Sequence, residues 1–599
     1  MTAESKSSLP PKHEQVVSLR SSNPGRDVQR VGTARFLGED PANIYGPVWA
    51  VLGNLGDSQC YLGVREKVEA IQTAVAKRIK ADARAIRLIS PAFTVGVSDG
   101  QLNGTPEMRF SLIGREIVND SVSTHLAANQ VAAFFAVVAC DKPPVGTVAA
   151  LLEHNVPAVI LSDGSIKPGH DPLTGDRIDL VTAFQAASSS DEVLRERYTL
   201  NACPGQGSCG GMFTYNTMQT FIAVLGLEPL HMVAPASDDP RRLNEFPDEL
   251  VNCLDVMTAR NIRPRDIVTP AALRNAITVV MAMGGSTNVM LHSVEIARAA
   301  GLHLWNDVLS HDEFNALSRQ VPVIVNMRPF GAYSMVDLET SGGLPTVVRE
   351  LLDAGLLDGS TITCTGETLA EQVERHHPPR ADREVIFPPS EPFQANGGLR
   401  LLGGNLAPSG GAILKLAGVE SGISEGVFTG KARVFDSEHA LIDALISNSE
   451  SFQDGDMVVI RYVGPRGAPG MPEMLDPTSK ITTLCRTRGI TIALMTDARF
   501  SGGSVGLVIG HVAPEAYIGG PIALVENGDT ILVNVNDDLL ECVELRDPEV
   551  YATRMALWNR LVESNGGVHP SVAAVTHRML KRMRATASSA LDGAGMASS

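Results

Sequence analysis

Four short segments of this chain deliver side chains suited to metal and acid–base chemistry. "FTVGVSDG" delivers Asp99, and "FFAVVACDK" delivers Cys140, Asp141 and Lys142. "MVVIRYVGPRGAPGMPEM" runs through glycines to Glu473, and "IALMTDARFSGG" exposes Ser501 beyond Asp497. Each reads as a strand opening into a loop, and ligand sites of α/β sheets lie beyond the carboxyl ends of strands. The pattern therefore predicts loops that converge. Asp99, Asp141 and Glu473 are hard oxygen donors of the kind Mg²⁺ prefers, although a lone loop carboxylate more often caps a helix or faces water. Lys142 beside Asp141 would ordinarily be a solvated charge. At the mouth of a buried strand, burial would lower its pKa and leave a reactive amine.

The cysteines add a softer donor set. Cys60, Cys140, Cys203 and Cys209 lie beside glycine, proline or acidic residues, whereas Cys253, Cys364, Cys485 and Cys542 read as small buried hydrophobes. Zinc sites usually pair cysteines as Cys-x₂₋₄-Cys, and that spacing is absent. Three cysteines from three separate loops suit an iron–sulfur cluster with one iron open to substrate. The loop "CPGQGSCGG" (203–211) also contains a Gly-x-Gly-x-x-Gly with Glu228 downstream, the outline of a dinucleotide fingerprint. Such a fingerprint must follow a strand directly. Its approach here, "SSSDEVLRERYTLNACP", is polar and broken by Pro204, so the metal reading is preferred over an NAD-dependent oxidoreductase.

These residues need a scaffold, and the totals describe one. At 599 residues the chain is too long for one core, with 44% hydrophobic and 20% charged residues as in ordinary globular proteins. A net charge of -17 argues against a general nucleic-acid binder. No apolar run reaches the roughly 18–20 residues of a membrane span. The N-terminal stretch has no apolar core of a secretory signal, and its acidic Glu4 and Glu14 weigh against organelle targeting, so a cytoplasmic location is expected.

From about 40 to 365 the pattern alternates strand and helix, as in 134–139, 145–155 and 156–164, which predicts a parallel sheet covered by helices. Thr269 and Pro270 mark the start of a further helix. The expected organisation is a flexible extension (1–38), an α/β domain (39–375) holding the site, a Pro- and charge-rich linker (376–396), a smaller β-rich domain (397–585) and a flexible tail (586–599). Within the second domain, "PIALVENGDTILVNV" (521–535) predicts a hairpin turning at Asn527-Gly528.

Six segments resemble, in order, the dihydroxy-acid dehydratase family, whose relatives include sugar-acid and phosphogluconate dehydratases. They are "ACDKPPVG", "CPGQGSCGGMFTYNTM", "MAMGGSTNVMLH", "GGNLAPSGGAILKLAG", "GPRGAPGMPEML" and "TDARFSGGSVGLVIGHVAPEA". The resemblance implies a homodimeric hydro-lyase with an α/β N-terminal domain and a β-barrel-like C-terminal domain. It implies that Cys60, Cys140 and Cys209 bind the cluster, with Cys203 structural. It implies that Asp99, Asp141, Glu473 and a carbamylated Lys142 bind Mg²⁺, and that Ser501 is the catalytic base. Three cysteines serve either a [2Fe–2S] cluster, the expectation here, or a [4Fe–4S] cluster with an open iron. The substrate expected is a 2,3-dihydroxy carboxylic acid such as 2,3-dihydroxy-isovalerate, with an aldonate as the alternative. Val145, Ala139 and Ala498 depart from the family pattern, as does "DGQLNGTPEM" (99–108), and such changes are expected to bear on the substrate side. An inactive homologue is disfavoured, because every implied ligand and Ser501 are present.

Overall fold

The run "VAAFFAVV" is apolar at successive positions, so as a strand it needs cover on both faces. It forms the centre of a parallel sheet. The structure is a computed structural model that describes residues 24–37, 44–82, 86–94, 96–187, 189, 191–417, 419 and 423–596. Residues 1–23, most of the expected extension, and 597–599 of the expected tail lie outside the described residues. The N-terminal sheet consists of β1 (Val48–Leu55), β2 (Arg87–Ile89), β3 (Ala92–Thr94), β4 (Val131–Val138) and β5 (Ala158–Ser162). Its order is β2-β1-β4-β5, with β3 also on β1 and every pair parallel.

Helices α1 (Val64–Ala81), α2 (Arg109–Asn129) and α3 (Pro143–His154) supply the crossovers. Two prolines open α3, where missing N–H groups cost nothing, and Asn155 ends it in the left-handed conformation. Helices α4 (Glu192–Asn201), α5 (Thr214–Leu225), α6 (Pro270–Ala282) and α7 (Asn288–Ala299) follow. The predicted cap of α6 is present, with Thr269 accepting from the Ala272 N–H. Helix α5 is buried at every position, so it lies inside the domain and carries the loop 203–213 inward.

The C-terminal half builds an eight-stranded sheet from β6 (Leu399–Leu402), β7 (Ala412–Lys415), β8 (Val427–Phe435), β9 (Asp456–Ile460), β10 (Ile492–Thr496), β11 (Val508–Gly510), β12 (Thr530–Asn534) and β13 (Leu539–Cys542). Their order is β13-β12-β8-β9-β10-β11-β7-β6, parallel from β8 to β11 and antiparallel outward on either side. A bridge between Gly403 and Leu539 brings the two edge strands together, so the sheet is nearly a closed barrel. Met457, Val459, Met495 and Val533 fill its inside. Val458, Ile460 and Leu494 face outward onto α8 (Leu475–Arg488) through Ile481. The alternation expected of a strand buried on both faces is thus filled by two different cores.

Three expectations change. Residues 521–524 form a tight helical turn, not a strand. Pro521 opens that turn, its apolar residues are buried in succession, and both edges of β12 are already taken by β8 and β13. The hairpin is therefore β12–β13. Within the stretch read as a linker, Ile386 and Gln394 bridge to Val325 and Val323, and Val385 and Ile386 are buried. Of the residues read as flexible ends, Pro24–Leu37 form a helix, and Ala587, Ala590 and Ala594 pack on Leu112 and Ile113 of α2. Burial of these small apolar side chains, together with the Arg115 bond to the Gly593 carbonyl, holds that tail in place.

One buried cation shapes the loops beyond β5. Arg242 is fully buried and donates to the carbonyls of Ser162, Met232, Pro235 and Ala236. Arg242→Met would leave these acceptors unpaired, each a desolvation penalty. The expected loss is about 3 kcal/mol of stability, read as a lower urea midpoint at unchanged slope. A loss below about 1 kcal/mol would mean that water replaces the guanidinium.

Candidate metal centre

The loops beyond β1, β3, β4 and β5 meet those beyond β9 and β10. A cavity of about 370 Å³ is lined by Cys60, Asp99, Cys140, Asp141, Cys203 and Cys209 among others. Lys142 stands directly behind this wall, ion-paired to Asp99 and to Glu473. Four strand ends of the N-terminal half and two of the C-terminal half therefore share a single site.

Local geometry explains how each group arrives. The Ala139 N–H donates to Asn54 Oδ1 of β1 at 3.0 Å, and the Cys140 N–H to Ser208 Oγ at 2.9 Å. Cys140 takes a left-handed φ of 62°, rare outside glycine and asparagine. A held, strained backbone of this kind belongs to sites rather than to packing. Asp99 opens a one-turn helix and accepts from Ser111 Oγ of α2 at 2.7 Å on both oxygens. Glu473 depends on Gly470, whose φ is +95°. A Cβ there would lie 1.8 Å from the Arg109 carbonyl oxygen, so only glycine lets the loop pass this close to α2.

The oxygen donors of Asp99, Asp141 and Glu473 lie within 4.8 Å of one another, and all three residues are buried. Lys142 Nζ sits among them, 2.7 Å from Asp99, 3.3 Å from Glu473 and 3.6 Å from Asp141. Burial raises the Asp141 carboxyl well above the usual carboxylate range, helped by the neighbouring Asp99, Cys140 and Glu473. Burial pushes Asp99 the same way, but Lys142, Arg499 and the Ser111 hydroxyl overcome it and leave its pKa low. Lys142 overturns the expectation drawn from burial. Desolvation and Arg499 push its ammonium down, yet the three carboxylates outweigh both and hold its pKa above the ordinary lysine value.

The residues present fit a divalent cation. Glu473 Oε2 is buried with no hydrogen-bond partner, which is costly for a carboxylate oxygen unless a cation meets it. The thiols fit a separate, softer group. Cys140 is raised by its contact with Cys60 and by burial, and Cys209 by burial and the nearby Asp141. These thiols are held protonated, a poor nucleophile's setting, and iron would bind them only with loss of those protons. Among the described residues they do not gather within the 4.8 Å reached by the carboxylates.

Several contributors escaped the sequence reading. Arg499 is fully buried and ion-pairs with Glu473. Asn288 Nδ2 donates to Glu473 Oε1 at 2.8 Å and to the Phe500 carbonyl at 3.1 Å, tying the carboxylate to the segment bearing Ser501. Both lie inside "GGSTN" and "TDARFSGG", so their motifs were visible although their roles were not. Cys203, read as structural, lines the cavity beside the other three. Ser501 is half-buried and does not line the cavity; its neighbour Gly502 presses on Phe213, which does. Val145, Ala139 and Ala498 are fully buried and absent from the lining, so they act on packing; of the segment 99–108, Gln101 remains as a cavity position that differs.

The fingerprint reading finds no support. Its glycines follow helix α4 instead of a strand, and Glu228 is buried, accepting from the Ser162 N–H and hydroxyl.

Fold and site together define a two-part α/β protein with a cavity walled by cysteines and carboxylates at its strand ends. Residues 67–372 match the dihydroxy-acid/6-phosphogluconate dehydratase N-terminal model and 384–594 the C-terminal one. The chain belongs to that family. It is 42% identical over 494 residues to the dihydroxy-acid dehydratase of Thermosynechococcus vestitus, spanning 81% of this chain and 84% of the relative. Its identity to the Prochlorococcus marinus dihydroxy-acid dehydratase is 44% over 454 residues, 75% of this chain and 79% of the relative. The dihydroxy-acid dehydratase 1 of Aromatoleum aromaticum is 41% identical over 507 residues, 84% of each chain. Among the described residues no helix is long and apolar enough to cross a membrane.

Proposed function

We propose that this chain is a hydro-lyase converting a 2,3-dihydroxy carboxylic acid, such as 2,3-dihydroxy-isovalerate, to the 2-keto acid. The observation that carries the reading is the meeting of Asp99, Asp141 and Glu473 within 4.8 Å behind a cavity walled by Cys60, Cys140 and Cys209. Cys60, Cys140 and Cys209 would hold a [2Fe–2S] cluster, and Asp99, Asp141 and Glu473 a Mg²⁺ ion. When bound, these groups supply Lewis acidity for a hydroxide leaving group and charge for the carboxylate end of the substrate.

The chain's own residues divide the remaining work. Ser501 removes the C2 proton, a task for a serine only in a cationic setting. Asn288 and Arg499 fix Glu473, and Ser111 fixes Asp99, so the oxygen donors need no rearrangement on binding. Lys142 is the counter-charge of the three carboxylates until a divalent cation neutralises them. With that cation bound, its amine would lose the partners that keep it protonated, and the neutral amine would add CO2 with release of a proton, giving a carbamate that completes the oxygen set. Lys167 and Arg328 at the cavity lining are already paired with Asp238 and Asp179, so the counter-charge for an anionic substrate would come from the bound metal groups. A cytoplasmic homodimer is part of the proposal, on the family likeness.

Keto-acid formation across a chain-length series of 2,3-dihydroxy acids and aldonates tests it. The branched short acids are expected to give the highest kcat/KM. Turnover confined to aldonates would replace the substrate assignment, and turnover of none would reject the activity.

A further inference from the structure

We propose that Lys415 is a positioning residue for this reaction, holding the turn that carries Ser501 through two main-chain carbonyls. The inference rests on the reading of Ser501 as the base. Lys415 ends β7, which lies antiparallel to β11, and it is only 1% exposed. Its Nζ donates to the Gly502 carbonyl at 2.8 Å and to the Ser504 carbonyl at 3.2 Å. Both acceptors lie within three residues of Ser501.

Nothing else accounts for a lysine at this position. Among the described residues it forms no ion pair with a carboxylate, and burial alone drives its pKa down to about 7. A desolvated amine without a counter-charge is costly, and an apolar residue on β7 would fill the barrel wall without that cost. What only the amine supplies is a pair of donors for the turn, and the charged amine has three N–H groups and the neutral amine two.

The rest of the turn is pinned from other sides. The Ser504 N–H donates to the Ser501 carbonyl at 3.0 Å, and the Gly503 N–H to Ser501 Oγ at 3.3 Å. A Cβ on Gly502 would come within 2.5 Å of Phe213 Cα and 2.6 Å of the Thr214 nitrogen, so this face packs directly on the start of α5. Ser504 Oγ lies 3.2 Å from Thr478 Oγ1 of α8. Lys415 is the one side chain of this set that bridges two carbonyls of the turn. Releasing it frees the serine to drift, and a displacement of about 1 Å costs about 10²-fold in rate.

Lys415→Met keeps the length and apolar bulk and removes the donors. The expected result is a kcat lower by at least about tenfold with KM changed by less than about twofold, because a base acts on the transition state and not on substrate binding. Iron and magnesium contents should match wild type, and hydrogen exchange should rise in peptides covering 499–508 only. Because Lys415 acts through Ser501, adding Lys415→Met to Ser501→Ala should cause no further loss in the residual rate. Lys415→Gln, which retains a donor, should fall between Met and wild type, and it serves if the Met variant fails to fold. A fully active Lys415→Met enzyme overturns the proposal. So does an additive loss in the double variant accompanied by exchange raised throughout the chain, which marks a purely structural role. An active Ser501→Ala enzyme instead overturns the base assignment, whatever Lys415 does.

Discussion

Ser501→Ala is expected to keep iron, magnesium and fold and to lose about 10²–10⁴ in turnover. Among the described residues the hydroxyl makes one hydrogen bond that the structure would miss, the 3.3 Å bond from the Gly503 N–H. That bond is long, closes a two-residue turn and is duplicated by the Ser504 N–H bond to the Ser501 carbonyl. Its loss therefore costs no more than about 1 kcal/mol of stability. No metal donor is removed, since Glu473 is held by Arg499 and Asn288 independently of the side chain at 501. Steady-state kinetics on protein matched to wild type in iron content and melting temperature would decide it. A variant retaining more than about a tenth of wild-type kcat falls short of what removing a general base costs, and Ser501 would not be the base.

The second large effect concerns colour. Cys60→Ser, Cys140→Ser and Cys209→Ser are each expected to bleach the cluster and abolish turnover, because an iron deprived of one thiolate is undercoordinated. Cys203→Ser should stay coloured. This contrast is sharper than the geometry alone requires, since Cys203 lines the same cavity. Cys140 is in contact with Cys60 and acts on Cys209, but so does Cys203, and the choice of Cys60, Cys140 and Cys209 rests on the family resemblance. Absorption spectra and iron counts of anaerobically purified variants test the set. A coloured, active Cys60→Ser would remove Cys60 from it, and a bleached Cys203→Ser would put Cys203 in its place. EPR of the wild type, with two or four irons per site, separates [2Fe–2S] from [4Fe–4S].

Much of the scaffold was legible because its signals are local. The continuous apolar run 131–138, the prolines opening α3 and the Thr269-Pro270 cap each state their element within a few residues. The misread hairpin shows where that logic stops. Residues 521–525 are as apolar as a strand, and only the occupancy of both edges of β12 excludes them from the sheet. The ends were misjudged for a related reason, since the partners of Ala590 and Ala594 lie on α2, nearly five hundred residues away.

The donor set divides along the same line. Residue type and loop context in the sequence alone determined which oxygens and thiols were available: Asp99, Asp141, Glu473, Cys60, Cys140 and Cys209 were all named before any geometry. Only the tertiary structure decided how closely Glu473 and Arg499 of the second half of the chain approach the carboxylates of the first. It also decided that three carboxylates reverse the effect of burial on Lys142. Coulomb and desolvation energies depend on distance and exposure, and neither is written in the spacing of residues along the chain.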